Sequence, residues 1–144
     1  MLKNDFMQVK IFTDGAARGN PGPGASGFDI YENNILKKSF VKYNGICTNN
    51  FSEYTAIILA LKWCKKNLKH DDEIEIVSDS LLVISQITGK FKVKSESIAP
   101  LNEEVARLRS HFKSIKFFHV NRTNKEVANV DRKLNLFLDK KEKA

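Results

Sequence analysis

Apolar and polar positions switch along the chain between a period of two and a period near 3.6, and the switches mark out its elements. Residues 7–13 (MQVKIFT) put Val9 and Ile11 on one face and Phe12 on the other. This predicts a strand buried on both sides near its end and stopping at Asp14, where glycines begin. Residues 26–32 (SGFDIYE) alternate through Phe28 and Ile30 and predict a second strand. Glu32, Asn33 and Asn34 signal a turn, and residues 35–43 (ILKKSFVKY) a third strand. The short connections predict an antiparallel meander. The period then lengthens. Thr48, Asn49 and Asn50 offer N-cap side chains, and Tyr54, Ile57, Ile58, Leu61, Cys64 and Leu68 follow at helical spacing, uninterrupted by glycine or proline. That helix should end before His70, Asp71 and Asp72.

Residues 73–78 (EIEIVS) predict a fourth strand ending at Asp79, and residues 80–88 a short helix closed by Gly89. Residues 97–112 carry Ile98, Leu101, Val105 and Leu108 and predict a second long helix, with Pro100 tolerated in its first turn. Residues 115–120 (IKFFHV) predict a fifth strand. Residues 126–138, with Val127, Val130, Leu134, Phe137 and Leu138, predict the last helix. The order βββαβααβα gives an α/β class, a mixed sheet with helices packed on it.

At 144 residues the chain has the size of one domain, and 42% apolar content suffices for its core. Residues 1–138 are expected to form that domain. Residues 139–144 (DKKEKA) look too charged to pack and are expected to fray. No apolar run approaches the roughly 18 residues of a membrane span, and the first ten residues hold no apolar signal core. A cytoplasmic monomer without membrane association is expected, and the initial Met favours a free-standing protein. Cys47 and Cys64 form no CxxC pair and read as reduced, buried small hydrophobes. A net charge of +7, from 24 basic and 17 acidic residues, favours an anionic partner, of which nucleic acid is the commonest. A solvated basic surface is the alternative.

Four carboxylates change this picture. Strands one and four both end in an aspartate, Asp14 and Asp79; side by side and parallel, they deliver both carboxylates to one sheet edge, where open α/β sheets bind ligands. Glu53, in the first turns of the long helix, and Asp131, early in the last one, can reach the same edge. Clustered carboxylates repel unless a cation neutralises them, and hard oxygen ligands suit Mg²⁺ or Mn²⁺. The scattered histidines His70, His111 and His119 give no zinc spacing. Two such ions about 4 Å apart can stabilise the attacking and leaving oxygens of a phosphate, so a basic chain with this edge suggests a nucleic-acid phosphodiesterase. Taken singly, each residue also has a structural role open to it: a turn-forming aspartate at a strand end, a first-turn glutamate, a solvated helical aspartate.

Four segments carry a family resemblance: IFTDGAARGNPGPGASGF, TNNFSEYTAIILALKW, VSDSLLVISQITGKFKVK and FFHVNRTNKEVANVDRKLN. The chain resembles the type 1 ribonucleases H, in their small form. The resemblance implies a ribonuclease H-like fold: a five-stranded mixed sheet, three strands antiparallel and then two parallel, flanked by helices. It implies endonucleolytic hydrolysis of the RNA strand of RNA/DNA hybrids, leaving 3′-hydroxyl and 5′-phosphate ends. It further implies two Mg²⁺ ions per site with substrate bound, Mn²⁺ being able to substitute. The family's acidic positions fall on Asp14, bridging both ions, Glu53, holding one ion and sensing a 2′-hydroxyl, and Asp79 and Asp131, completing the two spheres. The glycine-rich stretch from Gly15, with Asn20, Asn49 and Asn50, corresponds to residues lining the hybrid's minor groove, where 2′-hydroxyls distinguish RNA from DNA. On this reading the glycines let backbone approach nucleic acid and the prolines stiffen the loop. Thr48 matches a position near a DNA-strand phosphate, or caps the helix, or both. A catalytically weak hybrid- or duplex-RNA-binding module, or the ribonuclease H domain of a reverse transcriptase, are the rival readings.

The departures are specific. The basic helical protrusion of other family members is absent: residues 89–95 (GKFKVKS) run almost directly into the next helix. Lys90, Lys92 and Lys94 alternate with Phe91 and Val93, which puts the lysines on one face as a DNA-strand contact or as a solvated edge. The loop after the fifth strand, NRTNKEVAN, lacks the family's histidine, and Arg122 matches the arginine of the small forms. Counting without gaps from Arg122 lands on Asn129 as fourth ligand. The helical pattern selects Asp131 instead, with Val130, Leu134 and Phe137 on the inner face and a two-residue expansion of the loop.

Overall fold

The computed structural model describes residues 7–143. Its elements run β1 (Gln8–Ala17), β2 (Gly22–Glu32), β3 (Ile35–Cys47), α1 (Asn49–Asn67), β4 (Glu73–Ser78), α2 (Leu81–Ile87), α3 (Ala99–Arg109), β5 (Ser114–His119) and α4 (Lys125–Lys143). The strands form one mixed sheet in the order β3-β2-β1-β4-β5. The β1–β2 and β2–β3 pairs are antiparallel, and β1–β4 and β4–β5 parallel, as the pattern and the resemblance predict. Among the described residues, no helix is long and apolar enough to cross a membrane.

Two layers cover the sheet. Val9, Ile11, Phe28, Ile30, Ile74 and Ile76 face Tyr54, Ile57, Leu61 and Cys64 of α1, Val83 of α2 and Val105 and Leu108 of α3, and all of them are buried. On the opposite face Phe12 and Val77 meet Val127 and Val130, and Ala25 meets Leu134 and Leu138, all four helix residues belonging to α4. Removing such apolar surface from water contributes about 1.5–3 kcal/mol per large side chain. Alternation therefore assigns Val9 and Ile11 to the α1 layer and Phe12 to the α4 layer. Thr48 caps α1, its Oγ1 accepting the Phe51 N–H at 3.1 Å, and Ser80 caps α2 by accepting the Val83 N–H at 3.2 Å.

Three expectations are corrected. First, β1 does not stop at Asp14. It continues to Ala17, paired with β2 from Asp14↔Gly27 to Ala17↔Gly24, so the glycine-rich stretch is largely ladder. Close packing explains the glycines. A Cβ on Gly15 would lie 2.2 Å from the Ser52 carbonyl carbon of α1, and one on Gly27 would lie 2.8 Å from the Phe40 carbonyl oxygen of β3 and 2.9 Å from Leu134 Cδ2 of α4. Glycine in a strand here marks helices seated directly on the sheet. Second, residues 139–143 are not frayed. They are the last turns of α4, where Arg18 pairs with Asp139 and Glu142, each at 2.7 Å, and Lys141 sits over the Tyr43 ring. Third, Cys64 is fully buried, but Cys47 is half-buried, its Sγ 3.1 Å from Ser52 Oγ.

Candidate active site

Strand register builds the site. β1 and β4 pair in parallel up to Phe12↔Val77, and two more residues in the same register set Asp14 beside Asp79. β4 ends at Ser78, so Asp79 leaves the sheet where β1 continues. β5 ends one strand further over, with His119 opposite Ser78. The first turns of α1 lie over Gly15 and bring in Glu53, while α4 brings Asp131 from the other layer. Asp14, Gly15, Asn49, Glu53, Asp79, His119, Asn121, Arg122 and Asp131 line one open cleft at this edge.

Carboxylate oxygens of Asp14, Glu53 and Asp79 lie within 4.8 Å of one another. Such crowding is costly without a cation. Asp14, only 3% exposed, is pushed up to about 10, first by burial and then by Glu53, Asp79 and Asp131. Glu53 is raised well above the usual carboxylate range, by burial and then by Asp79, with the Gly15 N–H pulling the other way. Asp79 is raised by burial and by Asp131; its own backbone, Arg122 and His119 oppose the rise. Glu53 Oε1 is buried and has no hydrogen-bond partner among the described residues. An unpartnered buried acceptor among other carboxylate oxygens fits a hard divalent cation such as Mg²⁺ or Mn²⁺, which takes oxygen ligands and removes the repulsion.

The other sequence-predicted residues divide between two places. Gly15, Asn49 and Arg122 are in the acidic cleft. Asn20 lies beside it: its Oδ1 accepts the Asn49 N–H at 3.0 Å, and Asn49 Oδ1 accepts the Ala17 N–H at 2.8 Å. Asn50, Lys90, Lys92 and Lys94 line a second groove with Leu82, Gln86, Phe91, Ser95 and Ile98. The three lysines line this groove, and so does Phe91 between them, while Val93 packs partly against the core. Thr48 is the cap of α1. Asn129 does not line the acidic cleft, whereas Asp131 does.

Sequence reasoning misses His119 and Asn121. Zinc spacing and the loop after β5 are where a histidine is sought in sequence, and His119 is the last residue of the strand itself. The signal that could have found it is the alignment of strand ends: β4 and β5 run parallel, so the residue that closes β5 lies across from the end of β4.

The RNase H family model matches residues 7–136. Among curated relatives, the bifunctional protein Rv2228c of Mycobacterium tuberculosis is 33% identical over 136 residues, which are 92% of this chain and 36% of that protein. Ribonuclease HI of Halobacterium salinarum is 33% identical over 84% of this chain and 60% of its own length. The chain thus spans well under two thirds of the first of these relatives. Among solved structures, RNase H1 of Halobacterium salinarum superposes with a TM-score of 0.82 at 31% identity, covering 92% of this chain and 98% of that one. LC11-RNase H1 in complex with an RNA/DNA hybrid gives a TM-score of 0.83 at 32% identity, with 92% and 98% covered.

Proposed function

The chain belongs to the RNase H family, and from that premise we propose that it is an endonuclease hydrolysing the RNA strand of RNA/DNA hybrids with two Mg²⁺ ions, or Mn²⁺ in their place. The observation that carries this reading is the group of Asp14, Glu53 and Asp79 with mutually close oxygens, one of them buried and unpartnered. These three residues and Asp131 would hold the ions. When bound, the ions supply charge compensation at the scissile phosphate and a more acidic attacking water. The chain's own part is positioning. Asp14 sits in a strand paired with β2 at Gly27, so its carboxylate is carried by ladder backbone rather than by a loop. Arg122 and His119 offset the negative cleft next to Asp79 and would meet phosphate oxygens of the substrate.

Discrimination of RNA from DNA is assigned to Asn20 and Asn49. Both side-chain oxygens are used internally, so each amide nitrogen is left to donate toward minor-groove acceptors and 2′-hydroxyls. The relative solved with an RNA/DNA hybrid supports the substrate class. The test is a labelled hybrid beside duplex DNA, duplex RNA and single-stranded RNA, each with Mg²⁺ and with EDTA. Cleavage of the hybrid's RNA strand alone, abolished by EDTA and leaving 5′-phosphates, is expected. Activity persisting in EDTA, or binding of the hybrid without any cleavage, would overturn the reading.

The second groove supports a DNA-strand contact by Lys90, Lys92 and Lys94. Replacing all three with alanine should weaken hybrid binding, and the slope of log affinity against log salt should shrink by about 0.9 for each phosphate no longer engaged. Titrations between low and moderate salt measure this, and an unchanged slope would mean that the lysines are solvated surface.

A further inference from the structure

Resting on the hybrid-cleaving reading, we propose that Arg18 is a positioning residue: with Asp139 and Glu142 it holds the turn bearing Asn20 against the end of α4, and hybrid affinity depends on that clamp. Arg18 is the first residue after β1, and its N–H donates to Pro23 O across the turn at 2.8 Å. Its guanidinium leaves the turn and reaches α4. There Nη1 meets Asp139 Oδ1 and Glu142 Oε1, each at 2.7 Å, and Nη2 donates to Asn135 O at 3.0 Å and Asn135 Oδ1 at 3.1 Å. An isolated exposed ion pair contributes little. This one differs because a planar fork engages four acceptors from three residues of one helix; the Arg18 side chain is 29% exposed, those of Asp139 and Glu142 52% and 51%.

Both ends of the clamp lead to the site. On the turn side, Asn20 accepts the Asn49 N–H and Asn49 accepts the Ala17 N–H, so the turn and the start of α1 form one hydrogen-bonded body. On the helix side, Asn135 Nδ2 donates to the carbonyl of Asp131 at 3.0 Å, one turn back toward the cleft. Among the described residues, no other side chain of the turn hydrogen-bonds α4. Beyond the packing of β1 and β2 on α4, the two asparagines that would read the minor groove are therefore tied to α4 through one arginine and the acidic residues near the end of that helix.

The consequence runs against simple electrostatics. Removing two acidic groups should strengthen binding of a polyanion, whereas the clamp requires that it weaken. The experiment compares Arg18→Ala with Asp139→Ala/Glu142→Ala, measuring kcat, KM and the salt dependence of hybrid binding. Both are expected to raise KM about five- to tenfold, with kcat within about twofold and the salt slope of the acidic pair unchanged. Arg18→Glu combined with Glu142→Arg should recover part of the lost affinity. Tighter binding by the acidic variant, together with a salt slope reduced by about 0.9 in Arg18→Ala, would overturn the proposal and make Arg18 a direct phosphate contact. Lower melting temperatures with unchanged KM would also overturn it, leaving a purely structural bridge. If the wild-type chain cleaves no hybrid, the functional reading fails separately. The clamp is then judged by the side-chain amide resonances of Asn20 and Asn49, which should move in both variants; unmoved resonances refute it.

Discussion

Asp14→Asn is expected to abolish turnover, by about 10³-fold or more, and at the same time to raise the melting temperature of the metal-free protein. The loss follows from removing a charged oxygen ligand at the centre of the site, where bound metal supplies several kcal/mol of transition-state stabilisation. The gain follows from burial and repulsion. Without metal, the Asp14 carboxyl is raised from 3.8 to about 10. Between those values the folded chain holds a proton that the unfolded chain has released. Its stability is therefore highest at low pH and falls as pH rises through that window. Asparagine at the same place has no proton to lose and no charge to bury. At pH 8 in EDTA the variant should melt about 3–8 °C higher than wild type, with a flatter dependence of melting temperature on pH. Saturating Mg²⁺ should narrow or reverse the gap, since only the intact carboxylate set gains from binding the ion. Thermal melts from pH 5 to 9, with and without Mg²⁺, check both parts. A variant that melts below wild type in EDTA at pH 8 would show that Asp14 is held by contacts that outweigh the repulsion.

The features behind that expectation are displayed unevenly in the sequence. Elements with one clear period are legible: residues 73–78 are β4 as expected, and Val127, Val130, Leu134 and Leu138 form the buried face of α4. Glu53 and Asp79 are legible because a helix start and a strand end constrain where side chains emerge; Asp14 is found through its parallel register with β4, although β1 does not end there. Composition hides the continuation of β1 through Gly15. Glycine is read as loop from local propensity, but the requirement here is tertiary: α1 backbone leaves no room for a Cβ at Gly15, and at Gly27 the Phe40 carbonyl of β3 and Leu134 of α4 crowd the same place. At Gly15 the missing Cβ makes room for α1. The ordered end of α4 is hidden for a similar reason. Asp139 and Glu142 read as solvated charge until Arg18, more than a hundred positions earlier, is seen to meet them. His119 is hidden because its place depends on the pairing of β4 with β5, which no single segment contains.

The fourth carboxylate is where a count along the chain and a helical pattern disagree, and the expected outcome is a large asymmetry between two neighbouring residues. Asp131→Ala should cost about 10²-fold in activity or demand much higher metal concentrations, while Asn129→Ala should stay within about threefold of wild type. The packing of α4 supports this order. Val127, Val130, Leu134 and Leu138 are buried against the sheet, which fixes the rotation of the helix. Asp131 follows Val130 at the rim of that buried face and lines the acidic cleft. Its charge adds to the upward pressure on both Asp14 and Asp79, as expected of a group aimed at the same point. Asn129 precedes Val130, lies outside the cleft lining and carries no charge, so it would leave a pair of divalent ions less compensated. Seating Asn129 at the cleft instead would rotate the helix and expose Val130 and Leu134, at about 1.5–3 kcal/mol for each side chain. Activity of both variants across Mg²⁺ and Mn²⁺ concentrations decides the matter. Asp131→Asn sharpens the comparison: it keeps the shape of the side chain and removes only the charge, so loss there assigns the effect to ligand charge rather than to packing. Greater damage from Asn129→Ala than from Asp131→Ala would mean that the helix turns its other edge to the substrate when the site is occupied, and that the ungapped count from Arg122 had the right ligand.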